Sequence, residues 1–515
     1  MSDHKPKLFP GGHLPQLADK PAVILADTGE VMTYSELDAF ANRLGRLYQW
    51  LGLKVGDHIA CSVENRIECL PLQWGAHYVG LYYTFLSTRL TGAEAAYIVD
   101  DCDAKVLIVT AETAPAILES VRGLANPPRI YSLDPCAGIP TLDEACNSFG
   151  GEAVTDTLEG SEMLYSSGTT GVPKGVKPAL TGLPLGSTCV IAGLLAKGFG
   201  INQESVYLSP APFYHAAPLK WGQGVTALGG TVVMTRKFRP LEVLHAIETY
   251  RVTHSQWVPT MFSRLLALSE EEKQEYDLSS MKMAVHAAAP CPVPVKQAMI
   301  DWWGPILQEY YSCTETVGTT MVTCEQWLER PGTVGRAILG VLHIVDEEGN
   351  ECPPGVDGQV YFSDGPKFSY HKDDEKTRQA YNEKGWATVG DVGHIDEQGF
   401  LYLTDRKSNM IISGGVNVYP QEVENLLISH PKVFDCAVIG TPHPDLGEEV
   451  RAVIQLEPDN EPTEALKQEL IAFSRRHLSP IKCPRVIDFR DDLPREPNGK
   501  LLKRHLRDEY KALLA

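Results

Sequence analysis

The chain has 515 residues, 43% hydrophobic and 22% charged, with a formal net charge of -20. That is ordinary globular composition, and the length exceeds one core, since domains run to roughly 100–200 residues; at least two domains are expected, one of them large and divided into lobes. The acidic balance repels phosphate backbones and anionic lipid surfaces, so nucleic acid is excluded as an expected partner, and any anionic ligand must be met by local cations and backbone N–H groups.

In chain order, the polar start Met1–Gly12, with Pro6 and Pro10, lacks the apolar core of a signal peptide. Strand–helix alternation then sets in. His58–Val63 reads as a strand, Leu70–Val79 as a helix, Leu81–Leu86 as a strand, Thr91–Asp100 as a helix and Lys105–Val109 as a strand. That rhythm implies a parallel sheet covered by helices. Val190–Ile201 is the most apolar helix-like stretch, but it is short and contains Lys197. A bilayer crossing needs about 20 apolar residues, so no transmembrane segment is expected. The α/β rhythm returns with a helix at Leu241–Arg251, extended chain at Val252–Val258, a strand at Met281–His286, a helix at Val293–Trp303 and extended chain at Ile306–Tyr311.

From Gly340 to Tyr402 helical periodicity fades, and Val341–Asp346 with Gln359–Phe362 reads as a hairpin in a small β-rich lobe. Beyond Asp405-Arg406, Met410–Ile412 and Val416–Val418 flank Gly414-Gly415 as a second hairpin. Pro420 opens a helix with Glu422 and Glu424 in its first turn, where the helix dipole favours anions. A strand at Asp435–Gly440 and a helix at Glu464–His477, capped by Thr463, complete an α+β domain. The twelve cysteines form no C-x-x-C pair, which speaks against a zinc cluster or redox pair and for reduced thiols in a cytoplasmic protein.

The sharpest chemical feature is Tyr165-Ser-Ser-Gly-Thr-Thr-Gly-Val-Pro-Lys-Gly175. Glycines let backbone N–H groups turn toward a phosphate chain, the hydroxyls of Ser166, Ser167, Thr169 and Thr170 add donors, and Lys174 supplies a point charge. The segment is a phosphate-gripping loop on those grounds. It is not a Walker A loop, because Pro173-Lys174-Gly175 stands where Gly-Lys-[Ser/Thr] is required.

With this loop the chain resembles the adenylate-forming superfamily of acyl-CoA synthetases, peptide-synthetase adenylation domains and firefly-type luciferases. Further motifs follow in that family's order. Tyr311-Ser-Cys-Thr-Glu315 resembles Tyr-Gly-x-Thr-Glu, and Gly385-Trp386 with Gly390-Asp391 resembles Gly-Trp…Gly-Asp. Asp405-Arg406 and Ser413-Gly414-Gly415 resemble the hinge and the hairpin beyond it, and Pro494-x-x-x-x-Gly499-Lys500 resembles the C-terminal signature. The likeness spans Val31 to Lys500. It implies a large N-terminal domain, 1–405, of two doubly wound α/β lobes plus a distorted β-barrel lobe. A hinge at 406–408 and a small mobile α+β domain at 409–515 would follow, with Lys407 and Ser408 both open as the pivot.

The resemblance implies an acid–thiol ligase that uses ATP, Mg²⁺ and coenzyme A to convert a carboxylic acid into an acyl-adenylate and then a thioester. It assigns Ser166, Ser167, Gly168, Thr169, Thr170, Gly171 and Lys174 to the phosphates. Thr314 goes to the α-phosphate, Glu315 to Mg²⁺, Tyr311 to adenine, and Asp391 to the ribose with Arg406 supporting it. Lys500 reaches the carboxylate and α-phosphate in the first step, and Gly414-Gly415 replace it beside the pantetheine in the second. Such chemistry rests on positioned cations and N–H donors, because charge gathers on phosphoryl oxygens.

For the acid, the family's aromatic–His segment matches Pro212-Phe213-Tyr214-His215. His215, Ala216, Trp257, Ala287, Ala288 and Gly318 are the expected acyl-pocket residues, with His215 also a catalytic candidate. Ser312 stands where acetate-specific relatives carry tryptophan, and Phe213–Pro218 holds no aspartate to pair with a substrate amine. Both point to a plain hydrophobic acid, either a fatty acid or an aryl- or steroid-type acid. Three rivals are an adenylation enzyme loading a carrier protein in trans, a luciferase-like oxygen user, and a non-catalytic nucleotide binder. The sequence leaves the particular acid and the oligomeric state, monomer or homo-oligomer, open.

Overall fold

A computed structural model describes residues 7–155, 157–166, 173–458, 460–495 and 501–514. The chain packs as two compact units. The first comprises Met1–Trp257, Leu268–Val285 and Lys367–Gln379; the second comprises Val258–Ala267, His286–Pro366 and Ala380–Ala515.

In the first unit an all-parallel sheet runs in the order Arg129–Ser132, Ala104–Val109, His58–Ser62, Tyr82–Phe85, Ser161–Glu162. Its central strands are almost wholly buried, as expected of parallel strands covered on both faces. Capping boxes fix where two of its helices begin: Thr33 with Glu36 opens Tyr34–Trp50, and Thr91 with Glu94 opens Gly92–Asp101. A second sheet joins His254–Trp257, Val206–Ser209, Thr231–Met234 and Pro21–Leu25 in parallel. Pro21–Leu25 and Glu30–Thr33 form an antiparallel hairpin there. A third, antiparallel sheet joins Leu164–Ser166, Lys174–Lys177 and Ser369–Tyr370.

The second unit carries antiparallel strands Leu307–Tyr311, Thr319–Val322 and Arg336–Leu339. It also carries a four-stranded sheet, Val341–Val345, Gly358–Ser363, Asp391–Ile395, Leu401–Arg406. Its C-terminal part is a sheet of Val416–Val418, Ile411–Ser413, Gly447–Leu456 and Val433–His443, with Val486–Phe489 parallel to Gly447–Leu456. Helices Pro420–Ile428 and Glu464–His477 bury Val423, Leu427, Leu466 and Leu470 against it. The expected elements are present with shifted ends. The strand read at Asp435–Gly440 extends over Val433–His443. No helix among the described residues is long and apolar enough to cross a membrane.

Candidate active site

In the second unit the predicted nucleotide residues converge on one carboxylate. Asp391 opens the strand Asp391–Ile395 after a turn in which Gly390 has φ +84°. Only glycine adopts that conformation readily. The Thr388 hydroxyl accepts from the Gly390 N–H and donates to the Val360 carbonyl, which holds the turn. Asp391 lies opposite Arg406 in the antiparallel register, so the two side chains share a face. Arg406 Nε donates to Asp391 Oδ1 at 2.9 Å, and the Tyr311 hydroxyl donates to Oδ2 at 2.5 Å. The Asp391 side chain is 8% exposed and that of Arg406 38%. The adjacent carboxylate raises the Arg406 guanidinium above its ordinary value, and burial, then Asp391, pushes the Tyr311 phenol well up. A carboxylate offers about four acceptor positions. Among the described residues, side chains fill two of them.

Tyr311 ends the strand Leu307–Tyr311, and its ring stacks on Phe362 at 6.5 Å between centroids. The loop that follows carries Thr314 and the buried Glu315. It turns through a Thr316 N–H to Cys313 carbonyl bond, with Thr316 at φ +55°. Ser312, where the family has glycine, donates to the Gly318 carbonyl and accepts from Thr319, so its hydroxyl braces this loop. A Cβ on Gly318 would lie 2.1 Å from the Phe362 ring, so packing alone requires glycine there. Burial and then Glu315 push the Cys313 thiol up to about 12, so no thiolate forms beside these groups at neutral pH. Among the described residues no three His, Cys, Asp or Glu side chains are grouped to hold a metal ion. A single carboxylate such as Glu315 instead suits Mg²⁺ that arrives on nucleotide phosphates and keeps its waters.

Gly414 and Gly415 form the two-residue tip between Ile411–Ser413 and Val416–Val418, with φ +57° and +79°. Positive φ at both positions is the turn whose twist matches a tight hairpin. Ala287 is buried, while Ala288 is exposed and left-handed at φ +74°. A non-glycine residue so held stores backbone strain, which gathers at functional sites.

In the first unit, Ser166 pairs with Lys174 across the Leu164–Ser166 and Lys174–Lys177 strands. Ser167, Gly168, Thr169, Thr170 and Gly171 lie outside the described residues, as does Lys500. The strands flanking 167–172 are firmly built. Tyr165 donates to Asp101 Oδ2 at 2.5 Å, and Lys174 Nζ sits 5.0 Å from the Tyr370 ring centre. A Cβ on Gly175 would meet Met163 Cε at 2.4 Å and Tyr165 Cζ at 3.1 Å, so a side chain there would have to displace both.

His215 is the N-cap of helix Ala216–Ala227, and its ring lies 4.6 Å from that of Tyr214. Asn65 holds this segment: it accepts from the Phe213 N–H at 2.7 Å and donates to the carbonyls of Ala211 and Thr235. Asn65 was not among the sequence candidates. Its signal is position, just past the carboxyl end of parallel strand His58–Ser62, where α/β sites gather. Ala216 is half-buried. Trp257 is 1% exposed and donates to Ser255 Oγ at 2.6 Å, which places it in the core.

The family model for AMP-binding enzymes matches residues 13–368, and that for the AMP-binding enzyme C-terminal domain matches residues 422–500. The chain belongs to the AMP-binding enzyme family. Within the adenylate-forming superfamily it is an AMP-forming acid–thiol ligase, with a small-molecule acid, ATP and coenzyme A as its reactants. One similar protein is the long-chain-fatty-acid–CoA ligase FadD13 of Mycobacterium tuberculosis, 30% identical over 499 residues covering 95% of each chain. A second is the 3-[(3aS,4S,7aS)-7a-methyl-1,5-dioxo-octahydro-1H-inden-4-yl]propanoyl:CoA ligase of Rhodococcus jostii, 29% identical over 95% of each chain. A third is the crystal structure of the anthranilate CoA ligase AuaEII in complex with anthranoyl-AMP. It is 28% identical, has a TM-score of 0.86 and covers 98% of this chain and 97% of that one. The large α/β region and smaller C-terminal α+β domain match such structures.

Proposed function

We propose that this AMP-binding enzyme condenses a hydrophobic carboxylic acid, of fatty, aryl or steroid type, with coenzyme A. In the first step an acid oxygen bonds to the α-phosphorus of ATP as the bond to pyrophosphate breaks. In the second, the thiolate sulfur bonds to the acyl carbon and AMP leaves. The observation that carries the reading is the Tyr311–Asp391–Arg406 cluster. It is a buried carboxylate, oriented by a phenol and a guanidinium and suited to a ribose diol.

In this reading Lys174 and the Ser166–Gly171 segment grip the phosphates, Thr314 donates to the α-phosphate, and Lys500 neutralises charge developing on it. Glu315 would hold Mg²⁺, which supplies charge neutralisation on the phosphates. Residues 406–408 act as the hinge between 1–405 and 409–515, and Gly414-Gly415 let the thiol approach in the second step. His215, Ala216, Trp257, Ala287, Ala288 and Gly318 are assigned to the acid. The small side chains among them, the serine at 312, and relatives named for a fatty acid, an aryl acid and a fused-ring propanoate support a roomy apolar acid. A cytoplasmic enzyme fits this assignment.

The test is a panel of fatty, aryl and fused-ring acids incubated with the full chain, ATP, Mg²⁺ and coenzyme A, scored for thioester mass and AMP. At least one class should yield thioester and AMP in equal amounts. Tight ATP binding with no AMP from any acid would replace this reading with that of a non-catalytic nucleotide binder.

A further inference from the structure

The chain from Pro210 to His215 joins strand Val206–Ser209 to helix Ala216–Ala227. Pro210 and Pro212 have no N–H to donate, so this segment cannot pair as a central strand would. One side chain takes the place of a neighbouring strand. Asn65 Oδ1 accepts from the Phe213 N–H at 2.7 Å, and Asn65 Nδ2 donates to the Ala211 carbonyl at 3.0 Å and to the Thr235 carbonyl at 2.9 Å. The amide oxygen and both amide hydrogens are engaged, at a residue only 5% exposed. His215 follows directly, its N–H donating to the Pro212 carbonyl at 3.2 Å before the helix begins.

Asn65 is itself clamped on both sides. Glu64 accepts from the Thr110 hydroxyl at 2.7 Å. Arg66 donates through Nε and Nη2 to the two oxygens of Glu68, and through Nη1 to both oxygens of Asp134 at 3.1 Å. Asn65 lies past the end of strand His58–Ser62, Thr110 past Ala104–Val109 and Asp134 past Arg129–Ser132, so these bonds gather the carboxyl ends of three adjacent parallel strands. Ala211 and Thr235 stand just past the parallel neighbours Val206–Ser209 and Thr231–Met234 of the second sheet. Asn65 therefore joins the carboxyl edges of two sheets, the edge where α/β sites gather. Phe213 is fixed from the other side by packing. It is 1% exposed, its ring stands edge-on to Phe85 at 5.4 Å, and a Cβ on Gly222 would come within 3.0 Å of it.

We propose that Asn65 is a positioning residue for the acid, setting His215 through the backbone of Ala211 and Phe213. The inference rests on the assignment of His215 to the acid given above. Loss of the amide strips one buried N–H and two buried carbonyls of their partner. The segment relieves them by shifting, and His215 moves with it. The hydrogen bonds of Asn65 go to Ala211, Phe213 and Thr235 and to none of Tyr311, Asp391 and Arg406. Its loss must therefore fall on the acid and spare the nucleotide, and must cost little more once the imidazole of His215 is gone.

The experiment uses the full chain and the acid with the highest turnover in the panel. Acid-dependent ATP–pyrophosphate exchange is measured with acid and ATP varied in turn, for wild type, N65A, N65D, H215A and N65A/H215A. N65A is expected to lower kcat/KM for the acid at least tenfold and to leave the KM for ATP within twofold. N65D keeps an acceptor for the Phe213 N–H but turns an oxygen on the carbonyls of Ala211 and Thr235, so its acid kcat/KM should fall at least as far. Coupled sites do not add, so N65A should add less than threefold to the loss in H215A. Equal losses toward acid and ATP, full additivity with H215A, or wild-type acid dependence in N65A or N65D would make Asn65 merely structural and overturn the proposal. If N65A does not fold, N65S, which keeps a hydroxyl, carries the same comparison with the same results deciding. Wild-type acid dependence in H215A would remove the assignment on which the inference stands, a failure distinct from that of Asn65 in a chain where H215A is impaired.

Discussion

Asp391 shows how a side chain common in turns becomes specific through its partners. One oxygen is held by Arg406 and the other by Tyr311, which fixes the carboxylate plane. Asp391→Asn keeps the shape but removes the charge and an acceptor. Hydrogen bonds to a charged group are worth about 1.5–3 kcal/mol. The KM for ATP should therefore rise roughly tenfold or more, with the KM for the acid unchanged. Arg406 is 38% exposed and takes up water in the variant, so the melting temperature should move little. Initial rates with ATP and acid varied in turn, beside a thermal melt, check this; an unchanged ATP dependence would contradict the ribose assignment. Tyr311, Asp391 and Arg406 were legible in the sequence because each sits in a short fixed spacing. Asn65 and Phe362 were not. Asn65 acts on a backbone 148 residues away, and Phe362 dictates glycine at 318 by filling the space a Cβ would need. Neither relation leaves a local pattern.

At the scale of elements, the strand–helix alternation from His58 to Val109 was readable because the parallel strands are short, largely buried runs and helix Gly92–Asp101 buries one face, Ala95, Ala96, Ile98 and Val99, while helix Cys69–Tyr78 is buried on nearly every side. The Gly414-Gly415 tip was readable because a two-residue hairpin needs positive φ at both positions. Other pieces were hidden by length or distance. Ser369–Tyr370, two residues long, completes the sheet beside Lys174–Lys177 and is too short for any periodicity to register. The hairpin Pro21–Leu25/Glu30–Thr33 finds its partner at Thr231–Met234, and nothing in a local pattern names a neighbour some 200 residues on. Gly447–Leu456 escaped notice because it opens on Gly-Glu-Glu, and its buried run, Val450–Ile454, is interrupted by Arg451. Helix Lys503–Leu514 escaped because it opens on two cations with no acidic residue in its first turn.

At the scale of the whole molecule, a chain of net charge -20 confines its positive groups to particular places, among them Lys174 and Lys177 set over tyrosine rings. It also keeps several imidazoles neutral inside. Burial pushes His58 down to about 3, and His77 and His254 each to about 4, against an ordinary value of 6.5. The unfolded chain therefore binds protons near pH 6.5 that the folded chain refuses until far lower. Stability from these groups is present above pH 6.5 and is lost as pH falls below it. Between pH 6.5 and 5 each histidine should remove on the order of 1–2 kcal/mol. Denaturant unfolding at several pH values in that window should show net proton uptake on unfolding; a flat profile would contradict the buried, neutral assignment.

The claim on which the rest depends is that the acid's own oxygen bonds to the α-phosphorus. It is tested most directly by supplying a carboxylate labelled with heavy oxygen, together with ATP, Mg²⁺ and coenzyme A, and weighing the phosphate products. The account predicts one heavy oxygen atom in each AMP released and none in pyrophosphate. Heavy oxygen in inorganic phosphate, with ADP as the nucleotide product, would mean attack at the terminal phosphorus and would contradict it.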